Sequence, residues 1–223
     1  MIKKTRNKLL MLSCFILLTG CTPAKNAPSP SVATTAAPTV IPSVSPAAPP
    51  SAVPIALQTE AKASARLAKL SEEKYGNGQY QEAVTTANKA IVLDATNANA
   101  YAIKGIALSF LGNTADGIQS LKQAVDLKPD LVSANYFLAF SYKLQKNYDH
   151  SLIWFENTIK LDPENIWSYY GISTIYADRN QVDKSLAYLK KAIDLSPDVK
   201  KTARTQDHFA KMRSNPEFQA MTK

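Results

Sequence analysis

A helix-ending phrase recurs four times in this chain at intervals of 34 residues: Ala90-Ile91-Val92-Leu93-Asp94-Ala95, Ala124-Val125-Asp126-Leu127-Lys128-Pro129, Thr158-Ile159-Lys160-Leu161-Asp162-Pro163 and Ala192-Ile193-Asp194-Leu195-Ser196-Pro197. A fixed period of this length means stacked supersecondary units, each burying its apolar face against its neighbours. Such a stack presents a long surface to a partner, so the period points to binding and leaves the partner unnamed.

Counting each unit from Ser64, Ala98, Val132 and Ile166 aligns the other signals. Positions 8, 20 and 27 hold Ser71, Ala83 and Ala90; Gly105, Gly117 and Ala124; Ala139, Ser151 and Thr158; Ser173, Ser185 and Ala192. All are Gly, Ala, Ser or Thr. Leu93, Leu127, Leu161 and Leu195 share position 30, and Ile91, Val125, Ile159 and Ile193 share position 28. Leu121, Phe155 and Leu189 fill position 24, with Leu108, Tyr142 and Tyr176 at position 11. Apolar residues at this spacing give each helix one face to bury. Gly78, Gly112 and Asn180 mark the turn inside a unit, and Pro129, Pro163 and Pro197 end it, since proline cannot continue a helix.

These residues together resemble the tetratricopeptide repeat, a helix–turn–helix family whose positions 8, 20 and 27 are small because helices approach closely there. The resemblance covers Ser64 to Pro197. It implies an all-α solenoid of four repeats, assigned to residues 57–97, 98–131, 132–165 and 166–199, with a short helical cap over 200–223. The first unit departs from the pattern at Lys74, Ala87 and Ala95, as expected of an end repeat whose outer face meets water. In the cap, Asn215-Pro216-Glu217 reads as an N-cap and first helical turn. Two short helices are expected there, laying Phe209, Met212, Phe218 and Met221 over the last repeat.

In this family, positions 2, 5, 9, 12 and 13 of the first helix line a concave groove. The resemblance therefore nominates Asn99, Ile106, Phe110, Tyr136, Phe140, Lys143, Leu144, Trp167, Tyr170, Thr174 and Asp178 as partner-binding residues. Trp and Tyr are enriched in binding hot spots, and an aromatic groove suits an extended peptide or a partner helix. Against this stands the reading that the rings pack on adjacent repeats or on the cap. Some family members clamp a chaperone's C-terminal carboxylate with Lys and Asn. The corresponding residues here are Ala68 and Glu72, so that clamp is missing.

The N-terminus supplies an address. Lys3, Lys4, Arg6 and Lys8 precede an apolar run from Leu9 to Leu18, a secretory signal pattern too short for a permanent span. Leu18-Thr19-Gly20-Cys21 looks like the lipobox of bacterial lipoproteins, which implies a signal peptide over 1–20 and an acylated Cys21 as the first mature residue. Two or three acyl chains anchor stably where one is marginal. Residues 21–56 then form a linker of Pro, Ala, Ser, Thr and Val, holding nine of the 13 prolines. Its composition cannot bury a core, so it reads as a disordered tether reaching ~30 Å as a coil and ~100 Å extended.

The formal charge of +8 falls to +4 once the four signal-peptide cations are set aside, leaving 22 basic and 18 acidic residues. That balance does not argue for nucleic acid. His150 and His208 belong to no metal-ligand or nucleophile motif. No catalytic residue, metal or cofactor is expected. The sequence reading is thus a monomeric scaffold or adaptor, exported and lipid-anchored to the cell membrane or outer membrane, docking a protein through its groove. The alternative is a structural lipoprotein that self-associates or contacts peptidoglycan.

Overall fold

A computed structural model describes residues 55–223, every regular element of which is helical. The signal peptide, Cys21 and nearly all of the linker lie outside the described residues.

Eight helices form four antiparallel pairs: α1 (Ile55–Gly76) with α2 (Tyr80–Leu93), α3 (Ala98–Phe110) with α4 (Thr114–Leu127), α5 (Val132–Leu144) with α6 (Tyr148–Leu161), and α7 (Ile166–Asp178) with α8 (Val182–Leu195). Helices α2 to α8 run 13 or 14 residues, whereas α1 runs 22 and starts two residues ahead of the expected repeat boundary. Its added turns, from Ala56 to Lys62, are exposed. No helix among the described residues is long and apolar enough to cross a membrane.

The small positions explain how tightly each pair closes. A Cβ added to Gly105 would lie 2.6 Å from the Gly117 carbonyl oxygen, and one on Gly117 would lie 2.6 Å from that of Gly105. The backbones of α3 and α4 therefore touch, and only glycine fits on both sides. In the other pairs a serine fills the gap and bonds across it. Ser71 donates to the Ala83 carbonyl at 2.7 Å and Ser151 to that of Ala139 at 2.7 Å. Ser173 and Ser185 each donate to the other's carbonyl, at 2.8 and 2.9 Å.

Each intra-pair turn passes through one left-handed residue at the same register: Gly78 (φ 76°), Gly112 (φ 89°), Lys146 (φ 57°) and Asn180 (φ 57°). Between pairs, the side chains of Asn97 and Asn165 accept from the Ala100 and Ser168 amides at 3.1 Å, capping α3 and α7.

First helices pack on one another along the stack, α1 on α3, α3 on α5 and α5 on α7, while no two second helices pack comparably. The first helices thus form the inner layer and the second helices the outer one.

The cap has three short helical pieces rather than the two expected: α9 (Val199–Thr205), a 3-10 helix (Asp207–Met212) and α10 (Pro216–Thr222). Gln206 adopts an extended conformation that breaks the first two apart, and Asn215 caps α10 by accepting from the Glu217 and Phe218 amides. Val199, Ala203, Phe209, Met212 and Phe218 are buried against Ala177, Leu186, Leu189, Ala192 and Ile193, with Met221 packed at the edge. The cap therefore closes the open end of the fourth pair, where a fifth repeat would otherwise stack.

Candidate functional site

The inner layer carries a continuous row of rings across its first three repeats. Tyr75 at the end of α1 lies 5.8 Å from Phe110 of α3, ring centre to ring centre. Phe110 stacks on Tyr80 at 4.9 Å and on Phe140 of α5 at 5.7 Å, and Phe140 stacks on Tyr136 at 6.5 Å. These offset and tilted geometries are the favoured ones for aromatic pairs. Every ring in the row is half-buried and packs against the core cluster that contains Ile103, Ile106 and Phe137. Leu144 extends the apolar strip on α5 and is 44% exposed.

The nominated residues divide into three groups. Phe110, Tyr136, Phe140 and Leu144 line this strip, and Asn99 is exposed at the start of α3. Ile106 and Thr174 are corrections, because both are fully buried and no partner reaches them. Ile106 is enclosed by the core that the rings cover, and the Thr174 hydroxyl is spent on the Gly171 carbonyl at 2.7 Å. The third group lies at the C-terminal end of the layer: Lys143, Trp167, Tyr170 and Asp178. There Trp167 packs edge-on to Tyr170 at 5.7 Å, and Tyr170 packs edge-on to Phe209 of the cap at 5.9 Å.

The cap's 3-10 helix thus lies on the inner face of α7, and a polar cluster fixes it there. His208 Nδ1 is 2.7 Å from Asp178 Oδ1, and His208 Nε2 is 3.4 Å from Lys143 Nζ on α5. A carboxylate only accepts, so the Nδ1 N–H donates to Asp178. The Tyr148 hydroxyl donates to the second Asp178 oxygen at 3.0 Å. Burial pushes the Asp178 carboxyl upward, but His208, Tyr148 and Lys143 together outweigh it and hold the group below its ordinary value. Burial, then the bond to Asp178, raises the Tyr148 phenol.

The sequence reading named neither Tyr80 nor His208 as part of this face. Tyr75 occupies position 12 of the first repeat, one of the nominating positions, so its signal was present in the register. His208 had none, because its contacts cross 30 residues to Asp178 and 65 to Lys143. His150, for its part, bonds Asn147 at 2.9 Å and stacks on Tyr142 at 5.1 Å at the start of α6. Among the described residues no group of His, Cys, Asp and Glu is placed to hold a metal.

Comparison with known proteins agrees with this architecture. The tetratricopeptide-repeat family profile matches residues 98–131, 132–165 and 168–199. The first pair lies outside the match, in keeping with Lys74, Ala87 and Ala95 at its signature positions, yet it folds as the others do. No curated protein matches the chain in sequence. Among solved structures, a crystal structure of MamA is 28% identical with a TM-score of 0.54, covering 65% of this chain and 87% of that one. TTC0263, a thermophilic TPR protein of Thermus thermophilus, is 19% identical with a TM-score of 0.61, over 71% and 87% of the two chains. PilF of Pseudomonas aeruginosa is 14% identical with a TM-score of 0.64, over 73% and 75%. The last two show the shared fold alone.

Proposed function

Since residues 98–199 are tetratricopeptide repeats, a fold of protein–protein interaction and not of catalysis, we propose that this chain is a membrane-tethered scaffold of the bacterial envelope. A protein partner docks along the inner-layer strip of Phe110, Tyr136, Phe140 and Leu144. The observation that carries this reading is the row of half-buried rings spanning three repeats. Rings already ordered by stacking bring large contact area at small entropic cost. The chain's own cap packs on the inner side of α7 through Phe209 and Tyr170, so the partner is read by the first three repeats.

The envelope location rests on the sequence. The basic start, apolar run and Leu18-Thr19-Gly20-Cys21 support export and acylation at Cys21, and the proline-rich linker tethers the repeats to the bilayer. The protein acts as a monomer, with one groove per chain.

Crosslinking capture from envelope extract tests the groove. Wild type is compared with Phe110→Ala/Phe140→Ala and with Leu144→Asp, whose exposed side chain bears little on folding. A protein recovered with wild type and lost with both variants supports the reading. Equal recovery with Leu144→Asp removes the strip from the interaction. Radiolabelled palmitate incorporated into wild type and absent from Cys21→Ser tests the anchor separately.

A further inference from the structure

The charge of this protein is segregated. Residues 55–198, the four repeats, carry 15 basic and 16 acidic side chains and are nearly neutral. Residues 199–223 carry six basic side chains (Lys200, Lys201, Arg204, Lys211, Arg213, Lys223) against two acidic ones, Asp207 and Glu217. The cap alone therefore accounts for the basic excess of the described residues.

These cations face outward. Helix α9 buries Val199 and Ala203 on the solenoid, which leaves Lys201 and Arg204 exposed on its other side. Lys200 reaches the Lys223 carbonyl at 3.3 Å, and Arg204, Arg213 and Lys223 border one shallow depression walled by Phe218, Gln219 and Thr222. One of the six is partly neutralised: Arg213 lies 3.6 Å from Asp207 and is also bonded to the Thr205 and Gln206 carbonyls. Lys200, Arg204, Arg213 and Lys223 are thus gathered on one side of the cap, with Lys201 and Lys211 exposed beside them on the same short segment.

We infer that this basic cap is an electrostatic docking surface for an anionic phospholipid bilayer. A protein partner fits it less well. Among the described residues, the large exposed apolar side chains (Leu57, Leu70, Val92, Leu111, Leu144, Ile153, Leu161, Leu195) all lie in the repeats, and the cap has none. Protein interfaces centre on Trp, Tyr and Arg anchors; the cap has no Trp or Tyr, and its Arg213 is already bonded to two carbonyls of its own chain. A nucleic acid strand would use exposed rings for stacking, and both cap phenylalanines are buried. A headgroup layer asks only for clustered cations, each adding to the attraction within a Debye length of the surface. The choice of a bilayer over other polyanions rests on the tether proposed above, which holds the cap within reach of one; basic clusters and acyl chains commonly act as paired membrane signals.

Vesicle flotation of the full chain carrying Cys21→Ser, which has no acyl anchor, tests this. Vesicles of phosphatidylglycerol with phosphatidylcholine are compared with phosphatidylcholine alone, which reports any contribution of the apolar run near the N-terminus. Binding is expected on the anionic vesicles only, and it should weaken steeply between 50 and 500 mM salt (about 14 to 4 Å in Debye length). Lys201→Glu/Arg204→Glu/Lys211→Glu should lower affinity on the order of a hundredfold, and the matching Gln set by less. Equal binding to neutral vesicles, or retention by the Gln and Glu sets alike with circular dichroism unchanged, overturns the inference. Because Lys3, Lys4, Arg6 and Lys8 are cationic too, the charge-reversal set and not the salt series decides it, and a second set, Lys200→Glu/Lys223→Glu, serves if the first misfolds. Because this chain has neither acyl group nor bound partner, failure here leaves the anchor and groove standing, and failed acylation of Cys21 leaves the cap result standing.

Discussion

Ser151 donates its hydroxyl to the Ala139 carbonyl at 2.7 Å, bridging the two helices of the third repeat at their closest approach. Ser71 does the same to Ala83, and Ser173 and Ser185 do it to each other. In the second repeat the bridge is replaced by backbone contact between Gly105 and Gly117. One register is thus met by two different physical solutions.

The two solutions differ in tolerance. Ser151→Ala removes one buried hydrogen bond but fits the space, and should cost about 1 kcal/mol. Gly105→Ala drives a methyl group to 2.6 Å from a carbonyl oxygen that only a backbone shift can clear. It should cost up to about 3 kcal/mol. At about 2–4 °C per kcal/mol for a domain of this size, thermal melts followed by circular dichroism separate them. Equal melting temperatures would show that α3 and α4 move apart freely.

At the intra-pair turns the constraint is conformational. Gly112 has open space around its missing Cβ but a φ of 89°, so Gly112→Ala should destabilise by about 1–2 kcal/mol although nothing clashes. Lys146 holds the same left-handed register at φ 57° with a side chain attached. Lys146→Gly relieves that cost and returns part of it as unfolded-chain entropy, for a net gain of about 0.5 kcal/mol. Urea denaturation of the two variants should move in opposite directions.

The small positions, the turn register and the prolines were legible in the sequence because each acts within one 34-residue unit. The inner-face assignment was legible only in part. Phe140 and Thr174 share position 9, yet one is half-buried and the other fully buried. Ile106 shares that position too and is also fully buried, under the core that the rings cover, so exposure there is set by the size and packing of the neighbours and not by the register. The cap's apolar residues were evident, but not that Asp207–Met212 would turn back onto the inner face of α7. That placement depends on His208 meeting Asp178 and Lys143, contacts with no periodic signal.

Phe155 provides a case of coupling between repeats. Its ring is 1% exposed and sits over Gly171, where an added Cβ would come within 2.5–2.9 Å of three ring atoms. Gly171→Ala should therefore cost about 1–3 kcal/mol by overpacking. Phe155→Leu shortens the side chain at the same point and costs about 1 kcal/mol or more alone. Combined, the two should cost less than their sum, and a double-mutant cycle measures the difference. Strict additivity would mean that the ring swings aside into unused space.

The polar latch on the cap gives a pH dependence with a definite sign. The folded protein holds the Asp178 carboxyl below its ordinary value, so the unfolded state binds its proton more readily. Its ionised form therefore favours the folded state at every pH above the unfolded value of about 3.9. That contribution is lost as pH falls through the lower folded value. Asp178→Asn keeps the shape but lacks the charge that holds His208 and Lys143. At pH 7 its cap should exchange amide hydrogens over residues 207–212 faster than wild type, while α3 and α4 remain unchanged. As pH falls from about 4 through the lower folded value, wild type should approach the variant, because the open state takes up the proton first and the folded carboxyl follows. A difference between the two that stays constant from pH 7 to pH 3 would show that packing of Phe209 on Tyr170, and not the Asp178 charge, holds the cap on the inner face.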